Sequence, residues 1–177
     1  PLTTCDVLVI GAGPGGGNAA LHSARAGLNV ILIEDHKEIG TPVHCGECIS
    51  DVACDNLNLE LPSHVISKRV HGIRVIFPDG TAKKLTEEGY VLEKHLFERW
   101  IAEEAIAEGA KLHLSHKLRS MEKQKDENGR FTGWLCDGNG ENFPIMAKVV
   151  IDASGVAGVT SRLLDLNPKG KVIAGMQ

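Results

Sequence analysis

A short glycine-rich segment between a predicted strand and a predicted helix constrains the fold of this chain more than any other feature. Residues 5–10 are a β-branched apolar run, which predicts a buried strand. The sequence GAGPGG follows at residues 11–16, and a helix is predicted over residues 14–26, with Gly27 placed to end it. A second buried strand is predicted over residues 29–33. Strand, helix and strand at this spacing predict a βαβ unit with two parallel strands.

The glycine spacing in this unit is typical of a dinucleotide-binding turn. Gly11 permits the tight turn, Gly13 lets a pyrophosphate approach the backbone, and Gly16 lets the helix pack close to the strand. The helix N-terminus then offers N–H groups and a positive dipole end to the phosphates. Glu34 ends the second strand, where a carboxylate accepts hydrogen bonds from ribose hydroxyls. A 2′-phosphate would face this carboxylate, so FAD or NAD is expected rather than NADP.

The middle of the chain predicts a hairpin and a long helix. Residues 34–61 have an irregular pattern, whereas residues 69–77 and 81–85 flank the turn sequence Pro-Asp-Gly at 78–80. The best helical pattern covers residues 91–109. Its apolar positions on one helical face are Leu92, Leu96, Phe97, Trp100, Ile101 and Ala105.

The last third of the chain predicts a return to the same sheet. Residues 111–115 alternate as a strand, Asn128-Gly129 is a strong hairpin signal, and residues 137–140 form a further turn signal. Residues 147–151 predict another buried strand. The predicted fold class is therefore α/β, a Rossmann-like parallel sheet with an antiparallel β-ribbon inserted before its last strand.

Charge and composition exclude several classes of protein. The net charge is -4 and no basic block is present, so no nucleic-acid partner is expected. No apolar run reaches the roughly 18 residues that a transmembrane helix needs. Five cysteines are an odd number, and only Cys45 and Cys48 are closely spaced, which favours a reducing cytoplasm over a secreted disulfide framework.

Both ends of the chain suggest a fragment. The sequence begins at Pro1 and stops at Gln177, directly after the apolar run at residues 172–176, which predicts the start of a strand. A strand at the very end would leave its ladder groups unpaired. We therefore expect the chain to be part of a longer protein.

The segment at residues 41–48, TPVHCGEC, has several interpretations. Zinc binding needs a second pair of ligands at suitable spacing, which Cys54 and Cys136 do not supply. A redox-active dithiol of Cys45 and Cys48 is a second interpretation, although flavin disulfide reductases space their two cysteines further apart. A third is a loop that passes beside a flavin, and a fourth is a loop with incidental thiols.

Four stretches of the chain, in order, resemble the geranylgeranyl reductase family of flavoproteins, and its archaeal members in particular. They are CDVLVIGAGPGG at residues 5–16 with Glu34 after it, IGTPVHCGE at 39–47, GYVLEKHLFERWIAEEA at 89–105 and VIDASGVAGVTSRLL at 150–164. The first stretch is shared by many flavoproteins, whereas the Pro-x-x-Cys-Gly-Glu part of the second is much more specific. The resemblance covers nearly the whole chain. It implies an FAD-binding domain of the aromatic hydroxylase and geranylgeranyl reductase type.

The resemblance assigns cofactor roles residue by residue. Gly16 would contact the FAD pyrophosphate, and Glu34 the ribose. Cys45 and Gly46 would lie near the isoalloxazine ring, with Cys48 close by. Many family members have Gly where this chain has Cys48, which leaves the local loop geometry open.

Two further positions match cofactor-binding positions of the family. Lys94 stands where the family usually has an Arg that binds the cofactor, so the charge is kept without the bidentate geometry. Leu118 would offer its backbone to the adenine.

Simpler roles also fit these stretches. Lys94 would be a solvated charge, Tyr90 a packed side chain and Asp152 a helix cap. Trp100 and Trp134 would be core residues.

By resemblance, the parent protein saturates C=C bonds of geranylgeranyl chains in archaeal membrane lipid precursors. Residues 1–177 would then be an incomplete FAD-binding domain, since a downstream Gly-Asp flavin motif and the substrate domain are missing, and the chain alone would be inactive. The implied partners are an isoprenoid lipid, an electron donor (a reduced nicotinamide or ferredoxin) and the membrane surface. The implied location is the cytoplasm, with peripheral membrane contact. No metal is expected, and no catalytic acid is assigned, with Cys45 the nearest candidate to the flavin.

Three alternatives stay open at this stage. An FAD-dependent monooxygenase or halogenase shares the predicted fold. A flavin dithiol oxidoreductase would use Cys45 and Cys48 as its redox couple. A non-enzymatic nucleotide-binding module would use only the glycine-rich turn and Glu34.

Overall fold

A computed structural model describes residues 2–43 and 45–166, which contain both strands and helices. The strands, in chain order, are β1 Thr3–Ile10, β2 Val30–Ile33, β3 Cys48–Ser50, β4 Ile66–Val70, β5 Ile73–Ile76, β6 Ala82–Leu85, β7 Gly89–Leu92, β8 Lys111–His113, β9 Lys117–Lys125, β10 Phe131–Asn139 and β11 Ile145–Asp152. The helices are α1 Pro14–Arg25, α2 Asp51–Asn56, α3 Lys94–Ala107 and α4 Val159–Leu163, with short 3-10 helices at Ser63–Val65 and Gly155–Ala157. The strand predicted at residues 172–176 lies outside the described residues.

The described residues form two units. The first comprises residues 2–41 and 98–166, and the second comprises residues 42–97. In the first unit, a six-stranded sheet has the order β8-β2-β1-β11-β10-β9. Strands β8, β2, β1 and β11 run parallel, whereas β10 is antiparallel to both β11 and β9. This order confirms the predicted parallel sheet with an antiparallel ribbon inserted before its last strand.

The central strands of this sheet are apolar because both of their faces are covered. In β1, Val7 and Val9 face one buried cluster, while Leu8 and Ile10 face the other. The first cluster is completed by apolar residues of α1 and α3, and the second by residues of β9, β10 and β11. Burial on both faces explains why β1 and β2 are continuous apolar runs rather than alternating ones.

Helices α1 and α3 approach each other closely at a glycine. A Cβ on Gly17 would lie 2.8 Å from Cγ2 of Ile101, which is buried in α3. Ala102 and Ala105 extend the small, buried face of α3 that packs on the first cluster. The predicted burial of Phe97, Ile101 and Ala105 is confirmed.

The second unit contains two small antiparallel sheets. One has the order β3-β7-β4, and the other consists of β5 and β6. The hairpin predicted around residues 78–80 is confirmed by the pairing of β5 with β6. Its first strand is shorter than predicted, because Gly72 adopts a φ of +148° and separates β4 from β5.

The helix predicted over residues 91–109 begins later than the sequence suggests. Val91 and Leu92 belong to β7, which pairs with β3 and β4. Their apolar side chains continue the helical pattern of α3, but long-range strand pairing decides their conformation instead. The stop at Gly109, with a φ of +102°, is confirmed.

Two further sequence predictions were wrong. The segment 34–61, predicted to be irregular, contains β3 and α2, and the Oγ of Ser50 caps α2 by accepting from the N–H of Ala53 at 3.2 Å. The turn predicted at residues 137–140 is instead the end of β10, with a bulge at Asp137 and Gly138. A Cβ on Gly138 would overlap the carbonyl oxygen of Lys117, so glycine serves close strand approach there rather than a turn.

We expect Gly16→Ala to destabilise the first unit, because a Cβ at this position would overlap the carbonyl oxygen of Gly11. The expected loss in free energy of unfolding is about 1–3 kcal/mol, as for other overpacked sites. The matched control is Gly15→Ala, one position earlier in α1, where no heavy atom lies within 4 Å of an added Cβ. The control should be neutral or more stable by up to about 1 kcal/mol. Urea denaturation of both variants measures the difference, and equal midpoints would contradict the packing argument.

Candidate functional site

The turn between β1 and α1 is built on close backbone contacts at two glycines. Gly11 has a φ of +94°, and its N–H donates to the carbonyl oxygen of Ile33 at 2.8 Å. A Cβ on Gly11 would lie 2.6 Å from the carbonyl oxygen of Ala153, directly after β11. Gly16 packs against the carbonyl of Gly11. The structure therefore brings Gly11 and Gly16 together at the carboxyl ends of β1, β2 and β11, as the sequence predicts.

Gly13 differs from these two glycines because open space lies beside it. The nearest heavy atom to a Cβ at Gly13 would be Oε1 of Glu98, at 3.9 Å. Gly13 is also the N-cap of α1, with a φ of -69° that any residue adopts. Packing and backbone conformation therefore give no reason for glycine at this position. A ligand that approaches the backbone gives one.

The N-terminus of α1 is suited to bind an anion. Gly13 makes no side-chain cap, Pro14 occupies the first turn, and this turn contains no acidic residue. Helix geometry leaves the N–H groups of Gly15 and Gly16 without acceptors inside the helix. These donors and the positive dipole end of α1 fit a pyrophosphate, as the prediction for this loop requires.

Glu34 follows β2 and links it to the glycine-rich loop. Its Oε2 accepts a hydrogen bond from the N–H of Ala12 at 2.8 Å. Its Oε1 accepts from the N–H of His36 at 3.0 Å and lies 2.6 Å from the Nδ1 of the same residue. Only 11% of the side chain is exposed. The carboxylate is thus held in one orientation beside the loop, and the contact with Ala12 is a structural role that sequence reasoning did not assign.

Asp152 ends β11 and organises the turn that packs on Gly11. Its carboxylate accepts hydrogen bonds from the backbone N–H and the hydroxyl of both Ser154 and Thr160, at 2.5–3.0 Å. Burial raises the pKa of Asp152, but the hydrogen bonds from Ser154 and Thr160 outweigh this and hold the pKa below its ordinary value. The N-cap residue of α4 is Gly158, and Asp152 instead accepts from the N–H of Thr160 in the first turn of this helix across the preceding loop.

Leu118 lies in β9 of the first unit, opposite Gly138 of β10. Its side chain is 4% exposed and belongs to the second core cluster, so only its backbone is available for the role that the resemblance implies. Trp134 of β10 packs against the same cluster, in agreement with the expected core role.

The remaining predicted site residues lie in the second unit. The N–H of Glu47 donates to the Sγ of Cys45 at 3.4 Å, and the Sγ of Cys48 donates to the carbonyl of Gly46 at 3.2 Å. The residues 45–48 thus form a tight loop, and no disulfide joins its two cysteines. Lys94 begins α3, and its backbone N–H donates to Oε1 of Glu47 at 3.4 Å. The structure therefore brings the loop and the start of α3 together within this unit.

Sequence reasoning assigned no role to Glu47, and it gave packing as the simpler role of Tyr90. Glu47 has a φ of +60°, and its carbonyl accepts from the N–H of Leu92 at 2.8 Å, which fixes the loop on β7. The guanidinium group of Arg69 lies 4.7 Å from the centroid of the Tyr90 ring and forms a bidentate pair with Asp51. Tyr90 therefore packs within the second unit. Nothing in the local sequence indicated these contacts, because they join residues of segments that are distant in sequence.

The other three cysteines are core residues. Burial raises the pKa of the Cys5 thiol to about 12 and that of Cys136 to about 11, and it also raises the pKa of Cys54. Thiols with raised pKa values are poor nucleophiles. Cys45 and Cys48 are the two cysteines that lie outside the core.

Within the described residues, no helix is both long and apolar enough to cross a membrane.

Archaeal reductases are among the proteins that this chain resembles in sequence. It is 36% identical over 175 residues to digeranylgeranylglycerophospholipid reductase 1 of Methanothermobacter thermautotrophicus, covering 94% of this chain and 43% of the relative. It is 39% identical over 157 residues to the digeranylgeranylglycerophospholipid reductase of Picrophilus torridus, covering 85% of this chain and 39% of the relative. The chain thus spans well under half the length of the curated relatives it matches.

Solved structures give the same fold. A geranylgeranyl bacteriochlorophyll reductase-like protein from Thermoplasma acidophilum is 34% identical, with a TM-score of 0.75, and the match covers 86% of this chain and 40% of that one. The flavin-dependent brominase Bmp2 is 23% identical with a TM-score of 0.70, covering 90% of this chain and 40% of that one, a likeness that shows the fold alone. The profile of the family described as FAD dependent oxidoreductase matches residues 6–162. The chain therefore belongs to the FAD dependent oxidoreductase family.

Proposed function

We propose that the protein containing this chain is an FAD-dependent reductase that saturates C=C bonds in the geranylgeranyl chains of isoprenoid membrane lipids. The observation that carries the proposal is the 34–39% identity to proteins named as geranylgeranyl-type reductases, which extends over at least 85% of the chain. The bound FAD would be held at the pyrophosphate by the turn at Gly11, Gly13 and Gly16, and at the ribose by Glu34. The open space at Gly13 and the uncapped end of α1 support this assignment.

The other proposed cofactor residues follow from the resemblance. Cys45, Gly46 and Cys48 are proposed to lie near the isoalloxazine ring, Lys94 to supply a positive charge, and Leu118 to offer its backbone to the adenine. Cys45 and Cys48 are tied into a compact loop by their hydrogen bonds with Glu47 and Gly46, which supports a positioning role for that loop.

Saturation of an isolated alkene needs a hydride on one carbon and a proton on the other. When bound and reduced, FAD supplies the hydride. The part of the reaction that the chain's own residues perform is binding: α1 would neutralise the pyrophosphate, and Glu34 would fix the ribose. The proton donor is not assigned to any residue of this chain. An electron donor, either a reduced nicotinamide or ferredoxin, and peripheral contact with the membrane surface complete the proposal.

A second candidate function is an FAD-dependent monooxygenase or halogenase. The fold resembles that of the brominase Bmp2, with a TM-score of 0.70, and that of PqsL of Pseudomonas aeruginosa, with a TM-score of 0.72. This likeness is the observation that supports the second candidate. Identity to these two structures is 23% and 19%, against 34% for the reductase-like structure. The reductase is therefore preferred.

We expect Gly13→Val to abolish FAD binding without unfolding the protein. The branched side chain would occupy the place of the pyrophosphate, whereas the protein itself leaves that space open. Absorbance and fluorescence of the flavin released on denaturation measure the bound FAD, and circular dichroism checks the fold. His22→Val, which introduces the same residue at an exposed position in the last turn of α1, is the control and should keep its FAD. Full FAD content in Gly13→Val would show that the turn is not the phosphate site.

We expect the full-length protein that contains this chain, reduced and held without oxygen, to hydrogenate a geranylgeranylated glycerophospholipid. Mass spectrometry of the lipid should show a gain of two hydrogen masses for each double bond, with no added oxygen. An absence of saturation under these conditions, together with oxygenated product in air, would overturn the proposal in favour of the monooxygenase.

We expect Cys48→Ser to retain FAD and activity, because many members of the geranylgeranyl reductase family have Gly at this position. A dithiol oxidoreductase would instead lose turnover, since the variant removes one thiol of its redox couple. Titration of free thiols before and after two-electron reduction gives a second measurement. Two new thiols in the wild type, together with an inactive Cys48→Ser that still binds FAD, would support the dithiol interpretation.

A further inference from the structure

The carboxylate of Glu34 is held mainly by one residue, His36, which contacts it twice. The backbone N–H of His36 donates to Oε1 of Glu34 at 3.0 Å, and the Nδ1 of the His36 ring lies 2.6 Å from the same oxygen. A carboxylate can only accept, so the ring must donate from Nδ1. Nδ1 carries a proton in one neutral tautomer and also in the charged ring, so this contact does not depend on the charge of His36.

The ring of His36 lies at the surface between two carboxylates. Its Nδ1 is 3.1 Å from Oδ1 of Asp35, a longer distance than the 2.6 Å to Glu34. Asp35 also has a cation of its own, because Nζ of Lys117 lies 2.8 Å from its Oδ2. The ring proton is therefore assigned to Glu34. Since 57% of the His36 side chain is exposed, its substitution should leave the core intact.

The backbone that carries the carboxylate and the ring is fixed separately. The N–H of Glu34 donates to the carbonyl of His113 at 3.0 Å, and the N–H of His116 donates to the carbonyl of Glu34 at 2.8 Å. The N–H of Ser115 donates to the carbonyl of His36 at 2.9 Å. These three main-chain hydrogen bonds place the ring of His36 beside the carboxylate, whatever ligand is present.

Within the described part of the chain, one acceptor position of the Glu34 carboxylate remains unused. A carboxylate has about four acceptor positions, two on each oxygen. Oε1 accepts twice from His36, and Oε2 accepts once from the N–H of Ala12, at 2.8 Å. The remaining position is therefore on Oε2, the oxygen that faces the glycine-rich loop.

We propose that His36 is a positioning residue for the cofactor: it occupies Oε1 of Glu34, so that Oε2 alone accepts a hydrogen bond, from one of the two hydroxyl groups of the adenosine ribose. This proposal rests on the proposed assignment of Glu34 to the ribose of FAD. Without the ring donor, the carboxylate would be free to rotate about its terminal bond. Binding would then carry the cost of ordering it.

The experiment measures the Kd for FAD in the full-length protein after its flavin has been removed. His36→Leu removes the ring donor, and we expect the Kd to rise about five- to twentyfold. His36→Asn places an amide N–H near the position of Nδ1, so its Kd should stay within about twofold of the wild type. His22→Leu makes the same change at an exposed position in the last turn of α1 and should bind FAD like the wild type. An unchanged Kd in His36→Leu, or an equal loss in His36→Asn, would overturn the proposal.

FAD analogues that lack either the 2′- or the 3′-hydroxyl of the adenosine ribose test the single contact. In the wild type, loss of the hydroxyl bound by Glu34 should raise the Kd about five- to twentyfold. For that analogue His36→Leu should cause little further loss, because the contact that the ring supports is already absent. The other analogue should be weakened by His36→Leu as much as FAD is. A purely structural role of His36 would weaken FAD and both analogues by one common factor, and coupling to both hydroxyls would contradict a single contact; either result would overturn the proposal.

Two further outcomes separate this proposal from other roles of the same residues. FAD that binds to the wild type no more tightly than either analogue would overturn the ribose contact of Glu34 and the role of His36, while leaving the proposed reductase standing. Failure of the wild type to bind FAD at all would overturn both. The ligand atoms of Glu34, Asp35 and His36 also lie within 4.8 Å of one another, close enough for a divalent cation. The titrations are therefore repeated with EDTA, which should leave every Kd unchanged; an effect of EDTA would overturn the proposal in favour of a metal site.

Discussion

The turn between β1 and α1 closes because two of its residues have no side chain. Gly11 lies against the carbonyl of Ala153, and Gly16 lies against the carbonyl of Gly11. These contacts set the distance between α1 and the carboxyl ends of β1 and β11. The direction in which the helix N-terminus points follows from them, and so does the place where an anion can bind. Any larger residue at either position would separate the helix from the sheet.

The adenosine side of the site depends on the same turn through Glu34. The carboxylate accepts from the N–H of Ala12, so the loop that would cradle the phosphates also orients the group proposed for the ribose. From the other side, segment 113–116 holds the backbone of Glu34 and His36 by three hydrogen bonds. The carboxylate proposed for the ribose is therefore positioned by main-chain contacts from two parts of the chain, residue 12 and segment 113–116, that lie more than 100 residues apart in sequence. Preorganisation of this kind reduces the ordering cost of binding a cofactor.

Local patterns were reliable where one segment carries its own signal. Three local features predict the structure that forms: the apolar run at residues 5–10, the glycines of the loop and the helix end at Gly109. Buried strands, tight turns and helix ends each require particular residue types within a few positions, so a short segment is enough to predict them. The pattern at Val91 and Leu92 was misleading, since a short apolar pair fits a helix or a strand equally well. Pairing of β7 with β3 and β4 decided their conformation, and such pairing is not encoded in any one stretch.

The sequence by itself determined the βαβ unit, the glycine-rich turn, the position of Glu34 at the end of β2 and the family resemblance. These features depend on residue types at fixed, short spacing. Only the tertiary structure decided which groups hold Glu34 in place, and it showed that space is left open at Gly13 but not at Gly11 or Gly16. It alone tied segment 113–116 to residues 34–36 by main-chain hydrogen bonds. The physical reason is that contacts between distant segments depend on how strands and loops pack. The spacing of residues within one segment does not specify that packing.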